Sequence, residues 1–287
     1  MEQFNNSFYQ KKSLGQHFLT SKTVAEDLVR AAKVGGEDTV VEVGPGRGFI
    51  TEELLKVARK VIAVEKDGAL VEFLKEKFAE EVKTGQLTIV HDDILTFTPS
   101  HWKLGIGNWK LLGAIPYYIT GKLIRTVLEQ EHKPSIVALI IQKEVAERAC
   151  ANGPPSRNAS ARQGKESLLS LGIKVFGAPR YVHTVPRQFF SPPPKVSSAI
   201  FAIEDISDNF FTKNGISMAW FFKILHTGFA HKRKILLSSL RDGMGIDETE
   251  LMRAFNSCDI PPKVRPEDMA LEKWGCLVKK ILVTKTQ

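Results

Sequence analysis

The β-branched run Thr39–Val43 leads into Gly44-Pro45-Gly46-Arg47-Gly48, then into the helical stretch Ile50–Ala58, then into a second apolar run, Val61–Glu65. No other part of the chain constrains the fold as strongly. Two strands joined through a helix lie side by side and parallel, because the crossover returns the chain to the same end of the sheet. The pattern continues. Leu87–His91, Leu111–Gly113 and Ile136–Ile141 read as further strands, and Ser21–Lys33, Ala69–Lys83 and Gly121–Glu129 have helical periodicity. Thr20, Ser21 and Thr120 stand where helix N-caps are expected. Strands so uniformly apolar are buried on both faces. The expectation is an α/β fold, a parallel sheet covered by helices on both sides.

Val196–Ile203 reads as the last strand. Beyond Glu204-Asp205-Ile206-Ser207-Asp208 the periodicity is helical throughout, in Met218–Phe229, Lys232–Arg241, Glu248–Asn256 and Pro266–Lys280. A boundary near Asp208 therefore divides a domain over 1–207 from a small C-terminal helical domain over 208–287. Asn152–Gly164, rich in Gly, Pro and Ser, reads as a long basic loop.

The formal charge of +8 is unevenly spread. From Gln142 to Lys195 nine Lys and Arg stand against three acids, and from Asp208 onward 13 stand against nine. Such an excess suits a nucleic-acid partner. Phe229-Ala230-His231-Lys232-Arg233-Lys234 is expected to begin a helix that brings basic side chains to phosphates. No apolar run is long enough to span a bilayer, and Met1–Lys12 lacks the apolar core of a signal peptide. Cys150, Cys258 and Cys276 form neither a CxxC pair nor a zinc spacing. These three features lead to the expectation of a cytoplasmic protein, with no membrane and no metal.

The glycines after Val43 let the backbone turn tightly and let a ligand lie against it. Glu65 ends the second strand 21 residues after Gly44, where a carboxylate accepts ribose hydroxyl hydrogens. Together with the flanking strand and helix, these residues indicate a nucleoside cofactor. Asp92 and Asp93 both end the third strand and are both candidates for an acid at an adenine ring. Farther on, the strand Leu111–Gly113 runs into Ala114-Ile115-Pro116-Tyr117-Tyr118. Proline stops the ladder there, and the rings fall at the strand end, where open α/β sheets bind ligands.

The spacing Gly-x-Gly-x-Gly, with Glu42 two residues ahead, resembles class I S-adenosylmethionine-dependent methyltransferases. S-adenosylmethionine carries an amino group and a sulfonium, so acids near the loop make electrostatic sense. Further motifs resemble the rRNA adenine N6-dimethyltransferases. They are Ser13-Leu14-Gly15-Gln16-His17-Phe18-Leu19, the turn Ala114-Ile115-Pro116-Tyr117, Gln142-Lys143-Glu144-Val145-Ala146-Glu147-Arg148, and the long run from Phe189 through Ser191-Pro192-Pro193-Pro194-Lys195-Val196 to Ala199. The resemblance implies a Rossmann-like class I methyltransferase sheet with a helical C-terminal domain. It implies S-adenosylmethionine held by His17, Leu19, Gly44, Gly46, Glu65, Asp93 and Ala114, with the family pattern favouring Asp93 over Asp92. It implies a catalytic turn of Ala114, Ile115, Pro116 and Tyr117 facing Phe190, so that a flipped adenine stacks between the rings of Tyr117 and Phe190. It implies rRNA contact through Arg148, Lys232, Arg233 and Lys234.

Within that family the loop at Gly153–Ser156, the triple proline and the basic tail resemble the branch that dimethylates two adjacent adenosines near the 3′ end of small-subunit rRNA. The partner implied is that rRNA within an immature ribosomal subunit, with the enzyme a monomer. Three alternatives stand beside this reading. They are a catalytically impaired ribosome-assembly factor, a large-subunit rRNA adenine dimethyltransferase of the macrolide-resistance type, and a nicotinamide-dependent oxidoreductase. The first is motivated by Ala114. The family has Asn, Asp or Ser at that position, and alanine supplies no side-chain acceptor for the N6 hydrogens, so the expectation is retained binding with weakened methyl transfer.

Overall fold

The computed structural model describes residues 16–96, 108–150, 165–231 and 233–285, with side chains through residue 282. Ser13-Leu14-Gly15, the expected loop Asn152–Gly164 and Lys232 lie outside the described residues.

In chain order the elements begin with β1 (Phe18–Leu19), α1 (Lys22–Ala31), β2 (Thr39–Val43), α2 (Phe49–Leu55), β3 (Lys60–Glu65), α3 (Gly68–Lys77), α4 (Ala79–Thr84) and β4 (Leu87–His91). There follow β5 (Trp109–Ala114), α5 (Thr120–Leu128), β6 (Ile136–Gln142), α6 (Lys143–Cys150), α7 (Leu168–Lys174), β7 (Ala178–Val185), β8 (Phe190–Ser191) and β9 (Ser198–Glu204). The C-terminal helices are α8 (Asn209–Asn214), α9 (Met218–Phe229), α10 (Leu236–Met244), α11 (Glu248–Ser257) and α12 (Leu271–Lys285). Seven strands form one sheet in the order β4-β3-β2-β5-β6-β9-β7. β2 pairs in parallel with β3 and β5, and β3 with β4. The crossover expected between residues 39 and 65 is therefore present, with Val43 opposite Val64.

The central strands are apolar because both faces are covered. Val40, Val41, Val61, Ala63, Leu111, Leu112, Leu139 and Ile141 are all fully buried or nearly so. The edge strand β7 differs. Its sequence APRYVHTV is mostly half-exposed, and charged or polar partners replace apolar alternation. Arg180 donates twice to Glu204 Oε1, at 2.9 and 2.6 Å, and His183 Nε2 lies 3.0 Å from Asp27 Oδ2. Polar edges of this kind discourage pairing with a further chain.

Three expected helices differ from the structure; the last, Pro266–Lys280, is a 3-10 turn over Pro266–Asp268 and, after the extended Met269, the helix α12 from Leu271. The stretch Ala69–Lys83 is two helices, because Phe78 leaves helical geometry at φ −116° and ψ 38°. Its ring lies against Gly48, where a Cβ would meet it at 2.6 Å. The expected helix from Lys232 begins instead at Leu236, with Ile235 extended as its N-cap. His231, Arg233 and Lys234 thus sit in the turn between α9 and α10, not on a helix.

Contacts divide the chain into two compact units. One takes the described residues within 1–123, 138–143 and 183–200, and the other those within 124–137, 144–182 and 201–287. The helices from α8 onward belong to the second unit. Its core is aromatic: Phe211 stands edge-on to Phe210 and Phe221 at 5.6 and 5.8 Å, and the fully buried Trp274 stacks on Phe229 at 5.8 Å. Cys258 and Cys276 are joined by a disulfide that ties the end of α11 to α12. The cysteine spacing alone did not indicate this pairing. Among the described residues no helix is long and apolar enough to cross a membrane.

Candidate active site

Because β4, β3, β2 and β5 run parallel, their carboxyl ends share one edge of the sheet. The segments leaving that edge line a single cavity, within the first unit, of about 1220 Å³ including the solvent at its mouth. Gly44–Arg47 follow β2, Glu65 and Lys66 follow β3, Asp92–Leu95 follow β4, and Ala114–Ile119 follow β5. Gln16–Leu19 and Phe190 complete the wall. Every cofactor-site and catalytic-turn residue expected from the sequence falls on this cavity.

The glycine turn is shaped by conformation and by space. Gly44 and Gly46 have φ of 63° and 59°, a region that costs ordinary residues energy. A Cβ on Gly46 would also stand 3.0 Å from the Phe18 ring. Glu65 is held at its strand end by backbone donors. Its Oε1 accepts from the N–H groups of Lys66 and Asp67, each at 2.9 Å, and its Oε2 from Gly46 N–H at 3.2 Å. A carboxylate has about four lone-pair sites, so capacity remains for a ligand hydroxyl. Burial raises the Glu65 pKa above its ordinary value, against the lowering effect of those N–H groups.

Glu42 behaves otherwise. It is fully buried, accepts from Thr51 Oγ1 at 2.7 Å, and is absent from the cavity wall. Burial pushes its pKa up to about 8, so it is largely uncharged at neutral pH. The electrostatic role expected for it beside the loop therefore passes to Glu65 and the acids after β4.

Asp92 and Asp93 both reach the cavity and do different work. Asp92 Oδ1 accepts from the Asp93 N–H at 2.7 Å and shapes the turn. Asp93 accepts from Leu95 N–H at 3.0 Å and from Lys66 Nζ at 2.8 Å. The Lys66 hydrogen bond holds the Asp93 carboxyl below its usual range. Lys66 was not among the residues expected at the site, and its place directly after Glu65 was the only signal for it.

The other wall is a staple between distant segments. β1 and β8 pair antiparallel, with Phe18 opposite Ser191 and Leu19 opposite Phe190. His17 Nδ1 lies 2.8 Å from the carbonyl of Pro192, so that nitrogen carries the hydrogen and donates. The His17 ring stacks on Tyr117 with centroids 6.3 Å apart. Tyr117 in turn shares a 2.8 Å hydrogen bond between its hydroxyl and Ser198 Oγ, and burial raises its pKa. Ile115 and Phe190 are buried yet line the cavity. Ala114, at the end of β5, presents only a methyl group there.

The cavity therefore fits an adenosine-bearing cofactor. It has a glycine turn whose positive-φ backbone disfavours side chains and which is tight at Gly46, a strand-end carboxylate with spare acceptor sites, and a second acid beyond it.

The residues expected to contact RNA lie in the second unit. Arg148 is exposed on α6, and Arg233 and Lys234 are exposed in the turn before α10. Lys234 Nζ lies 3.3 Å from Asp242 Oδ2, so part of the positive charge counted in the linear sequence is offset locally.

Comparison with known proteins agrees with this geometry. The family described as ribosomal RNA adenine dimethylase matches residues 7–285. Ribosomal RNA small subunit methyltransferase A of Dehalococcoides mccartyi (strain ATCC BAA-2266 / KCTC 15142 / 195) is 39% identical over 270 residues, covering 93% of this chain and 88% of that protein. The protein of the same name from Fusobacterium nucleatum is 31% identical, covering 95% of this chain and 97% of its own. Among solved structures, a dimethyladenosine transferase from Plasmodium falciparum superposes with a TM-score of 0.72 at 21% identity, covering 94% of this chain and 98% of that one. The 23S rRNA methyltransferase ErmE superposes at 0.69 and 22% identity, covering 92% and 98%. The structural likenesses establish that the chain shares the fold of these two proteins. On the strength of the match over 7–285 and the identity with its relatives, the chain belongs to the ribosomal RNA adenine dimethylase family.

Proposed function

We propose that this chain dimethylates the N6 amino groups of two adjacent adenosines near the 3′ end of small-subunit rRNA, with S-adenosylmethionine as methyl donor. The observation that carries the reading is the convergence of the glycine turn, Glu65, Asp93 and the Ala114–Tyr117 turn on one cavity. The relatives at 31–39% identity are named for the small subunit, which supports that substrate over large-subunit rRNA. The natural setting is an immature small ribosomal subunit in the cytoplasm, met by a monomer. In a reducing compartment Cys258 and Cys276 would stand as neighbouring thiols. The helical region from residue 208 acts as the RNA-contacting domain, with Arg233 and Lys234, Lys232 between them and His231, and Arg148 on α6.

Glu65 would accept the ribose hydroxyls, and Asp93 the adenine amino group of the cofactor. His17 and Leu19 would close over it. When bound, S-adenosylmethionine supplies an electrophilic methyl group on a sulfonium. The N6 amine of adenosine is a poor nucleophile, since its lone pair is drawn into the ring. The protein therefore contributes orientation and well-placed acceptors. Tyr117, fixed through Ser198, and Phe190, held by its pairing with Leu19, offer rings to a flipped base. The Ile115 carbonyl remains as an acceptor for one N6 hydrogen. After transfer the methylated amine loses its proton, and no general base is required.

Ala114 favours a second reading, a ribosome-assembly factor that keeps the cavity and methylates weakly. Labelled-methyl incorporation into immature small subunits, mapped on rRNA fragments by mass spectrometry, separates the two. Dimethylated adjacent adenosines would establish the enzyme. No incorporation, with subunit binding intact, would establish the assembly factor.

A further inference from the structure

Tyr118 follows the catalytic turn and is 66% exposed, although it lines the mouth of the cavity. The other exposed large apolar side chains among the described residues are valines, at only 37–42%. An aromatic ring left in water beside a base-sized cavity needs a reason, because single exposed apolar groups are ordinary but one at a binding mouth is not randomly placed. Its backbone is fixed: Tyr118 is the middle residue of a tight turn, Tyr117–Ile119, closed by Ile119 N–H donating to the Pro116 carbonyl at 3.2 Å. Tyr117, one residue before it, is anchored through Ser198. The turn runs straight into α5, so Lys122 lies one helical turn beyond Tyr118 on the same side. Lys122 is exposed, and Lys66 stands at the same rim with its ammonium on Asp93.

We propose that Tyr118 is the stacking platform for the nucleotide adjacent to the target adenosine, with Lys122 receiving the phosphate that joins the two. The inference rests on the proposed function, since it supposes a flipped base in the cavity beside it. Three features argue for a nucleotide as occupant. A base has a π-face that an exposed ring accepts without regard to sequence. A strand with one base flipped leaves its neighbour unstacked on one face, where a ring can take the missing base's place. The cation one turn on complements the phosphate that must follow. Lys66 is already paired with Asp93, and Lys122, one helical turn from Tyr118, is the cation assigned to the strand. Tyr117 thereby faces the reacting base and Tyr118 its neighbour, so consecutive residues of one turn set the register of two consecutive nucleotides.

The test uses the full chain and a fluorescent RNA hairpin with two adjacent adenosines in its loop. Tyr118→Ala should weaken RNA binding by roughly 10–100-fold, the value of one base stack. Tyr118→Phe should bind as the unaltered chain does, because the ring face is kept. Calorimetric titration with S-adenosylhomocysteine should give the same affinity for all three proteins. Lys122→Ala should weaken RNA binding less and reduce its salt dependence by about one charge. Unchanged RNA affinity in Tyr118→Ala overturns the platform, and so does an equal loss of S-adenosylhomocysteine affinity, which would make Tyr118 part of the cofactor wall. Failure of the unaltered chain to bind the hairpin or immature subunits would instead bring down the functional reading, and the platform with it.

Discussion

The strand-end region from Thr39 to Ile119 and the helical region from Asn209 onward are built on opposite terms. In the first, polar groups are drawn inside and held: Glu65 by three backbone N–H groups, Asp93 by Lys66, Tyr117 by Ser198. In the second, rings fill the interior, with Phe210, Phe211, Phe221 and Trp274 in contact with one another or with further rings, while charge is kept outside in pairs such as Lys234 with Asp242 and Arg241 with Glu248. The first arrangement spends local stability to preset a binding edge. The second supplies stability by burial, where nothing but shape is specified. Substitutions in the two regions should therefore be read out by different measurements.

The largest effect should come from the helical region and should appear in stability. Trp274 is fully buried, and a Cβ on Gly228 would stand 2.7 Å from its ring. Trp274→Ala should cost about 3–5 kcal/mol in urea unfolding, from lost burial and the cavity left behind. The fraction that remains folded should bind S-adenosylhomocysteine with unchanged affinity. A stable variant with weakened cofactor binding would break the division between the regions.

The next effect should come from the strand-end region and appear in rate. Ala114→Asn restores a side-chain acceptor at the cavity wall, and one such transition-state partner is worth about 10²–10³ in rate. Methyl incorporation should rise by that factor, while thermal stability and S-adenosylhomocysteine affinity stay close to those of the unaltered chain. A variant no faster than its parent would mean that the missing amide does not limit this chain.

The same division decided what the sequence could reveal. Thr39–Val43, Leu87–His91 and Met218–Phe229 have the expected bounds, because apolar period and burial agree there. The residues that line the cavity were legible because a glycine turn and strand-end acids leave a trace in local order. Other features depend on contacts between distant residues. β7 was missed because its half-exposed face is stabilised by Arg180–Glu204 and His183–Asp27, so apolar alternation is absent. β1 and β8 are two residues each and exist through their mutual pairing. The break at Phe78 follows from where its ring meets Gly48, and no local signal marks it. α6 follows β6 without a gap, so the strand's apolar run hid its start.

Glu42 offers a third test, in which the polar interior of the first region is read through pH. Its folded pKa is about 8, against an ordinary value of 4.5. The folded state therefore holds a proton that the unfolded chain releases between those values. Below about pH 4.5 the group is neutral in both states, and its contribution is fully present. As pH rises toward 8 that contribution is lost, at up to about 1.4 kcal/mol per pH unit. Unfolding followed by denaturant between these limits should show declining stability, and Glu42→Gln should flatten the decline. An identical slope in the variant would remove Glu42 as its source. The helical region carries no counterpart, since its acids with resolved shifts, Asp242 and Asp247, are displaced downward by exposed partners.

The smallest effect belongs to the surface of the second region. Arg233 and Lys234 sit side by side in the turn before α10, yet Lys234 lies 3.3 Å from Asp242. A cation already paired releases fewer counterions when it meets a phosphate, so equal charge in the sequence need not give equal weight in binding. Arg233→Ala should lower the slope of log affinity for rRNA against log salt by nearly one, and Lys234→Ala by less. Asp242→Ala should steepen the slope by releasing Lys234, with Arg241 still held by Glu248. Measured from low to moderate salt, these three slopes separate a phosphate contact from a solvated surface. Equal slopes in all variants would place the turn outside the RNA interface and leave the second region a purely structural one.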